Sequence, residues 1–307
     1  MNAFFIAGPT AVGKTALALE VAARCKGEII GADAFQVYQG LDLLTAKPSR
    51  DDRRRIPHHL VDAIPLSQSF NVAQYLEAAT RCSEEIASRG KLPLVVGGTG
   101  LYMRALTRGL SDLPEADATV REELDASSLE ELQARYAALD PEGATRIDLK
   151  NKRRLVRAIE VCLLTGKPFS SFRNEWKPGT APASPVGFFL TRDRGDLYDR
   201  INRRVEEMFR NGAVLEEVRN APAIGETASQ VIGLREIKAH LRGEISQQDC
   251  VARIQQATRR YAKRQMTWFK TESALFEEIN LSSLSNSESI VQLIAQKAAV
   301  TAAHKKV

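Results

Sequence analysis

A chain of 307 residues, 44% hydrophobic, can bury a sizeable core and has room for one large domain or two modest ones. No apolar run approaches the roughly 20 residues of a membrane span, and the chain passes almost at once into an apolar strand, leaving no room for a signal peptide. Four scattered cysteines without a C-x-x-C pair, and four histidines without ligand spacing, argue against a zinc site or disulfide framework and suit a cytoplasmic protein. The net charge of +5 is modest, and its distribution matters more than its size.

Residues 3–7 predict a short strand. It feeds Gly8-Pro9-Thr10-Ala11-Val12-Gly13-Lys14-Thr15, which fits G-x-x-x-x-G-K-[ST], and a helical pattern follows at residues 16–21. The glycines let successive backbone N–H groups turn inward around an anion. The helix N-terminus adds about half a positive charge at the same place. Lys14 then reaches an outer phosphate, and the Thr15 hydroxyl is placed to hold a magnesium ion. The whole stretch is expected to cradle a di- or triphosphate.

A second run, residues 28–32, ends at Asp33. A carboxylate there points into the same crevice as the loop, as a magnesium ligand, a general base or merely an N-cap. A third run is expected at 59–62. Residues 72–89 carry Tyr75, Leu76, Ala79, Cys82 and Ile86 at helical spacing. The strand at 92–96 runs into Gly97-Gly98-Thr99-Gly100-Leu101-Tyr102, where an ordinary P-loop ATPase ends the neighbouring strand in an Asp that supports magnesium. Small residues and a hydroxyl there suit close approach of a ligand, not water activation; the plainer reading is a glycine-rich turn. This β-α alternation implies a parallel sheet wrapped by helices, with ligands beyond the carboxyl ends of the strands.

From about residue 111 to 179 the character changes to charged helices, expected at 118–126, 128–138 and 151–165, the last ending at Gly166. A connector with Pro178, Gly179, Pro182 and Pro185 precedes another apolar strand at 186–190. Helices are then expected at 197–211, 214–220, 234–241 and from 247 to about 269, with one more after residue 286 before a basic tail. The fold class is thus α/β: a P-loop NTPase-like parallel sheet flanked by helices, with a small all-helical insertion domain and a mainly helical C-terminal part. The expected division is residues 1–111 for the first part of the core, 112–182 for the insertion and 183–307 for completion of the core.

Two basic stretches stand out. Lys150, Lys152, Arg153, Arg154 and Arg157 lie between Asp148 and Glu160 with no acid among them. Residues 250–271 also lack an acid; Arg253, Ala257, Arg260 and Arg264 share one helix face, while Ile254, Thr258, Tyr261, Gln265 and Trp268 share another, turned toward the core. A solvated face is the ordinary meaning of such a run, yet two of them beside a phosphate loop favour a polyanionic partner. Neither matches a groove-reading motif, so base-specific contact would have to come from a cavity. In Gln230-Val231-Ile232-Gly233-Leu234-Arg235, a glycine turn precedes an arginine at a helix start; Arg235 there could clamp phosphate oxygens or make a surface ion pair.

In order along nearly the whole chain, these residues resemble the bacterial tRNA dimethylallyltransferase (tRNA isopentenyltransferase) family. The resemblance rests on the loop, Asp33 to Tyr38 with Gly40-Leu41-Asp42 and Thr45-Ala46-Lys47-Pro48, Pro57-His58-His59, Gly97-Gly98-Thr99 with Leu101-Tyr102, Arg153 to Glu160, the Gly233 turn, and Ala262-Lys263-Arg264-Gln265 with Thr267-Trp268. It implies transfer of a dimethylallyl group from dimethylallyl diphosphate to N6 of the adenosine at tRNA position 37, in tRNAs reading codons that begin with U. On that reading Lys14, Arg235 and Mg2+ near Thr15 stabilise the departing diphosphate, Asp33 accepts the amine proton, and Thr99 orients the reacting groups. The resemblance further implies tRNA contacts at Asp33, Ala34, Phe35, Gln36, Thr99, Arg121, Arg153, Arg154, Leu155, Val156, Arg157, Gln230, Val231, Ile232, Gly233, Leu234 and Arg235. The partner would be a tRNA anticodon stem-loop whose target base leaves its stack, bound by a monomer with no membrane role.

The chain departs from the family pattern at Ala34, commonly Ser, and at Leu234, often aromatic; the zinc-finger extension of eukaryotic relatives is missing. A P-loop small-molecule kinase shares the loop and an acid at the second strand end, but leaves the basic helices without a purpose. A non-catalytic RNA-binding or nucleotide-switch protein would need no acid at position 33.

Overall fold

Phe4-Phe5-Ile6-Ala7 has no polar residue because both faces of that strand are covered. Phe4 and Ile6 join Leu94, Phe188 and Leu190 in one apolar layer, while Phe5 and Ala7 join Ile30, Val95 and Phe189 in the other. Period-two side-chain alternation with both faces buried is the mark of a parallel sheet between helix layers.

The computed structural model describes residues 3–175, 186–283 and 287–304. The elements begin with β1 (Phe4–Ala7), α1 (Lys14–Cys25), β2 (Gly27–Ala32), α2 (Arg50–Arg55), β3 (His58–His59), α3 (Val72–Ser88), β4 (Leu92–Gly97) and α4 (Gly100–Arg108). Next come α5 (Ala118–Ala126), α6 (Leu129–Leu139), α7 (Pro141–Ala144) and α8 (Lys152–Thr165). The remainder is β5 (Gly187–Thr191), α9 (Arg194–Phe209), α10 (Ala213–Arg219), α11 (Leu234–Leu241), α12 (Gln247–Thr271), β6 (Phe276–Asn280) and α13 (Ser287–His304). The chain divides into two compact units, Met1–Thr107 with Pro182–Val307, and Arg108–Ala181. The connector expected around Pro178, Gly179, Pro182 and Pro185 lies outside the described residues, as do the final residues 305–307.

In the first unit the six strands are all parallel, in the order β3-β2-β4-β1-β5-β6. Register does the work of assembling a site. Ala32 pairs with Gly97, Gly97 with Ala7, and Ala7 with Phe189, so the residues that follow β2, β4 and β1 emerge at one level. Three segments of distant sequence origin, at Gly8, Asp33 and Gly98, therefore meet at one sheet edge, the edge where α/β proteins bind ligands. Strand β6 was not among the expected elements. Its Phe-Glu-Glu-Ile-Asn sequence edges the sheet with Glu277 and Glu278 partly exposed, so it carries no continuous apolar run. The polar helix α2 was also not expected; it buries none of its residues and is started by a Ser49–Asp52 capping box.

The second unit is helical. Its own core gathers Leu124, Leu132, Tyr136, Leu155, Val156, Ala158, Ile159 and Cys162. The sequence writes its helix ends plainly: Ser128 and Glu131 form a capping box, the Asn151 side chain accepts from Arg154 N–H, and Gly166 closes α8 at a φ of 67°. Among the described residues no helix is long and apolar enough to cross a membrane.

Candidate active site

The anion loop is held open from several directions. Gly8 passes so close to β5 that a Cβ would lie 2.8 Å from the Leu190 carbonyl, and Gly13 takes a φ of 111° that L side chains rarely adopt. Lys14 Nζ donates to the Gly8 and Pro9 carbonyls at 2.9 and 2.7 Å. Burial lowers the Lys14 ammonium to a pKa of about 8; Asp33 opposes that shift and Arg204 adds to it.

Three arginines, one just after β5 and two on α9, complete the loop, and none was anticipated from the sequence. Arg192 Nε donates to the Val12 carbonyl and Arg200 Nε to the Ala11 carbonyl, each at 2.8 Å. Arg204 Nη1 donates to the Thr10 hydroxyl at 3.2 Å. Burial pulls the Arg204 guanidinium below its ordinary pKa, against the attraction of Asp33. The Gly8, Pro9, Ala11 and Val12 carbonyls are thus occupied by cations, which raises the positive field at the loop. The available signal was the four-residue spacing of Arg200 and Arg204 beside buried Ile201 and Val205, which puts both at the edge of an apolar face.

Asp33 is a cap in the structure. Its Oδ1 accepts from Phe35 N–H at 2.9 Å and Gln36 N–H at 3.3 Å, so it caps the turn after β2. The same residue lines the cavity beside the loop. Thr99 stands next to it: its hydroxyl accepts from Ala34 N–H at 3.1 Å, and its own N–H donates to the Ala32 carbonyl. Gln36 is turned inward onto its own loop, donating to the Thr45 and Ala46 carbonyls at 3.0 Å each. The loop is further held by Glu217, which accepts from Leu43 and Leu44 N–H, and by buried Lys47 between Asp42 and Asp62.

A cleft open to solvent lies between these groups. Phe35, Leu44, Val205, Met208, Ile232 and Ile254 give it an apolar wall, while Thr10, Asp33, Arg204 and Tyr261 supply its polar end. An apolar wall that meets charged groups at the loop suits a short hydrocarbon with an anionic head.

The Gly233 turn builds that wall. Val231 and Ile232 line the cavity, Leu234 is buried, and Gly233 at φ 95° packs against Leu44 and Ile254. Gln230 is exposed ahead of the turn. Arg235 does not join the loop: its side chain is 90% exposed and pairs with Glu236 at 3.2 Å, because α11 turns that position outward. The arginines at the loop are Arg192, Arg200 and Arg204. The glycines after β4 also differ from the expected ligand approach. A Cβ on Gly97 would meet the Ala32 backbone at 2.1 Å, one on Gly98 the Gln265 amide at 2.3 Å, and one on Gly100 the Trp268 ring at 2.4 Å. They serve close packing of the protein on itself.

Within the helical unit, Glu160 is fully buried and gathers two of the expected tRNA-contacting arginines. Arg121 reaches it at 2.9 and 3.2 Å, and Arg157 at 2.6 Å. Burial pushes the Glu160 carboxyl up, but these hydrogen bonds outweigh it and hold the group below its ordinary range. Leu155 and Val156, 0% and 5% exposed, point their side chains into the helical core. Arg153 and Arg154 are exposed on the same helix. In the other unit α12 buries Ile254 and Gln265 and exposes Arg253, Arg260 and Arg264, so its two faces divide as the spacing indicated.

A parallel sheet whose first strand opens into a glycine-rich anion loop ahead of a helix N-terminus defines an α/β protein of the P-loop class. A family model described as IPP transferase matches residues 36–272, and the chain belongs to that family. A tRNA dimethylallyltransferase of Geobacter metallireducens is 46% identical over 278 residues, covering 88% of this chain and 90% of that protein. The full-length tRNA isopentenylpyrophosphate transferase structure from Bacillus halodurans is 34% identical, with a TM-score of 0.69 over 100% of both chains. A eukaryotic dimethylallyltransferase seen acting on tRNA matches with a TM-score of 0.78 and 27% identity, over 97% of this chain and 77% of that one.

Proposed function

We propose that this protein transfers a dimethylallyl group from dimethylallyl diphosphate to N6 of the adenosine at position 37 of tRNAs reading codons that begin with U, giving N6-(dimethylallyl)adenosine and diphosphate. The observation that carries this reading is the cavity: an apolar wall ends at an anion loop, and an aspartate stands at the junction. The names of the relatives, which are tRNA dimethylallyltransferases, support the same chemistry.

The loop N–H groups, Lys14 and Arg204 bind the diphosphate and stabilise the charge that builds on it as the carbon–oxygen bond breaks. The apolar wall holds the allyl group and keeps water from it. Asp33 accepts the proton released when the N6 amine bonds to carbon, and Thr99 fixes the Asp33 turn through Ala34 N–H. The Thr15 hydroxyl, in the first turn of α1 beside the anion loop, would hold a magnesium ion. When bound, it supplies further neutralisation of the leaving group. No step requires a carboxylate cage, and none that could hold a metal occurs among the described residues.

The polyanionic partner is read as a tRNA anticodon stem-loop. The exposed arginines of α12 and of α8 support backbone contact, and the target base enters the cavity after leaving its stack. The helical unit is proposed as the tRNA-contacting domain of a cytoplasmic monomer. Incubation with labelled dimethylallyl diphosphate and unmodified tRNA, and separately with labelled ATP, tests the reading. Label in tRNA is expected; a phosphorylated small molecule with unlabelled tRNA would overturn it.

A further inference from the structure

Gln265 is the buried polar residue of α12, 6% exposed, and it contacts two separate strand ends. Its Oε1 accepts from Thr10 N–H at 2.9 Å, inside the anion loop. Its Nε2 donates to the Gly98 carbonyl at 2.8 Å, at the end of β4. The amide fills the space where a Cβ on Gly98 would stand, 2.3 Å from Nε2 and 2.6 Å from the Gly8 carbonyl. Gly98 leads directly into Thr99, whose hydroxyl accepts from the N–H of Ala34, the residue after Asp33. Tyr261, one turn earlier on α12, interacts with both Thr99 and Gln265 and lines the cavity.

We propose that Gln265 is a positioning residue: one amide ties the anion loop to the segment carrying Thr99 and so sets the separation between the leaving-group site and Asp33. This rests on the transferase reading above. The chemistry asks for an amide. Its oxygen accepts and its nitrogen donates from one planar group, so it joins a peptide N–H to a peptide carbonyl in fixed geometry. A carboxylate keeps the first bond and sets lone pair against lone pair at Gly98. A thioether of similar shape makes neither bond. Leaving-group stabilisation and proton removal act on opposite ends of one transition state, so drift between the two segments costs rate more than affinity.

Purified wild type, Gln265→Met and Gln265→Glu are compared by steady-state kinetics, thermal melting and amide hydrogen exchange of residues 8–15. For Gln265→Met we expect kcat to fall about 100-fold, as for a misplacement on the order of 1 Å, with the KM for dimethylallyl diphosphate near wild type. The Thr10 amide, having lost its acceptor, is expected to exchange faster. A folded Gln265→Met protein with unchanged kcat overturns the proposal, whether its melting temperature or its KM moves. If Gln265→Met does not fold, Gln265→Glu is read by the same kinetic criteria, with Thr10 exchange staying protected. Wild-type protein that leaves tRNA unlabelled defeats the transferase reading, a different failure from active wild type with an equally fast variant.

Discussion

The Arg204 guanidinium donates to the Thr10 hydroxyl at 3.2 Å, so a charge carried by α9 belongs to the anion loop's own hydrogen-bond network. With Lys14 folded onto the Gly8 and Pro9 carbonyls, two partly buried cations act on Asp33 beside the cavity. Cations of this kind act on an anion far more strongly than they would in water.

Arg204→Ala is expected to lower kcat about 100- to 1,000-fold, the usual loss when one donor to a developing anion is removed. Arg235→Ala, which alters an exposed side chain, is expected to leave the donor's KM unchanged. Steady-state kinetics with varied dimethylallyl diphosphate checks both, and a larger loss at Arg235 would contradict the assignment.

Asp33→Asn keeps an oxygen to accept from Phe35 and Gln36 N–H but removes the base. It is expected to lower kcat roughly 100- to 10,000-fold while tRNA affinity holds. Asp33→Ala loses the cap as well, so its melting temperature should fall below that of Asp33→Asn. Equal turnover by Asp33→Asn and wild type would remove Asp33 from the proton transfer.

Burial holds the Lys14 ammonium at a pKa of about 8, below the ordinary lysine value of 10.5. Between those values the unfolded chain binds a proton that the folded chain has released, so the Lys14 contribution makes stability rise with pH across that window. Diphosphate binding favours the charged amine, so binding above pH 8 should take up a proton and weaken as pH rises. Calorimetry of inorganic diphosphate binding at high pH, in buffers of different ionisation enthalpy, measures the uptake. Lys14→Met should lack it.

Arg154 and Arg157 should part company. Arg154→Glu alters an exposed cation and is expected to weaken tRNA binding and flatten its salt dependence without affecting the fold. Arg157→Ala strips one partner from buried Glu160. It should cost about 2 kcal/mol of stability, below the roughly 3–5 kcal/mol of a fully orphaned charge because Arg121 remains. Filter binding over a salt series and thermal melting separate the two effects.

Local patterns were legible wherever one segment contains its own cause. The anion loop, the apolar strands and the helix end at Gly166 each state their structure within a few residues. What escaped depends on distant partners. Arg200 and Arg204 read as ordinary helix charges, and Arg192 as a connector charge, until β5 pairs with β1, and β6 hides because Glu277 and Glu278 interrupt its apolar pattern. Gly98 looked like a ligand approach, yet the approaching group is Gln265, 167 residues away. Arg157 appeared in an acid-free run, while the acid that holds it, Glu160, lies just past that run's end.

Nucleoside mass spectrometry of unmodified tRNA after incubation with the protein and dimethylallyl diphosphate tests the central claim most directly. The account predicts N6-(dimethylallyl)adenosine at position 37 in the wild-type reaction and its near absence with Asp33→Asn. Unmodified adenosine from active, folded wild-type protein, or equal product from Asp33→Asn, would contradict it.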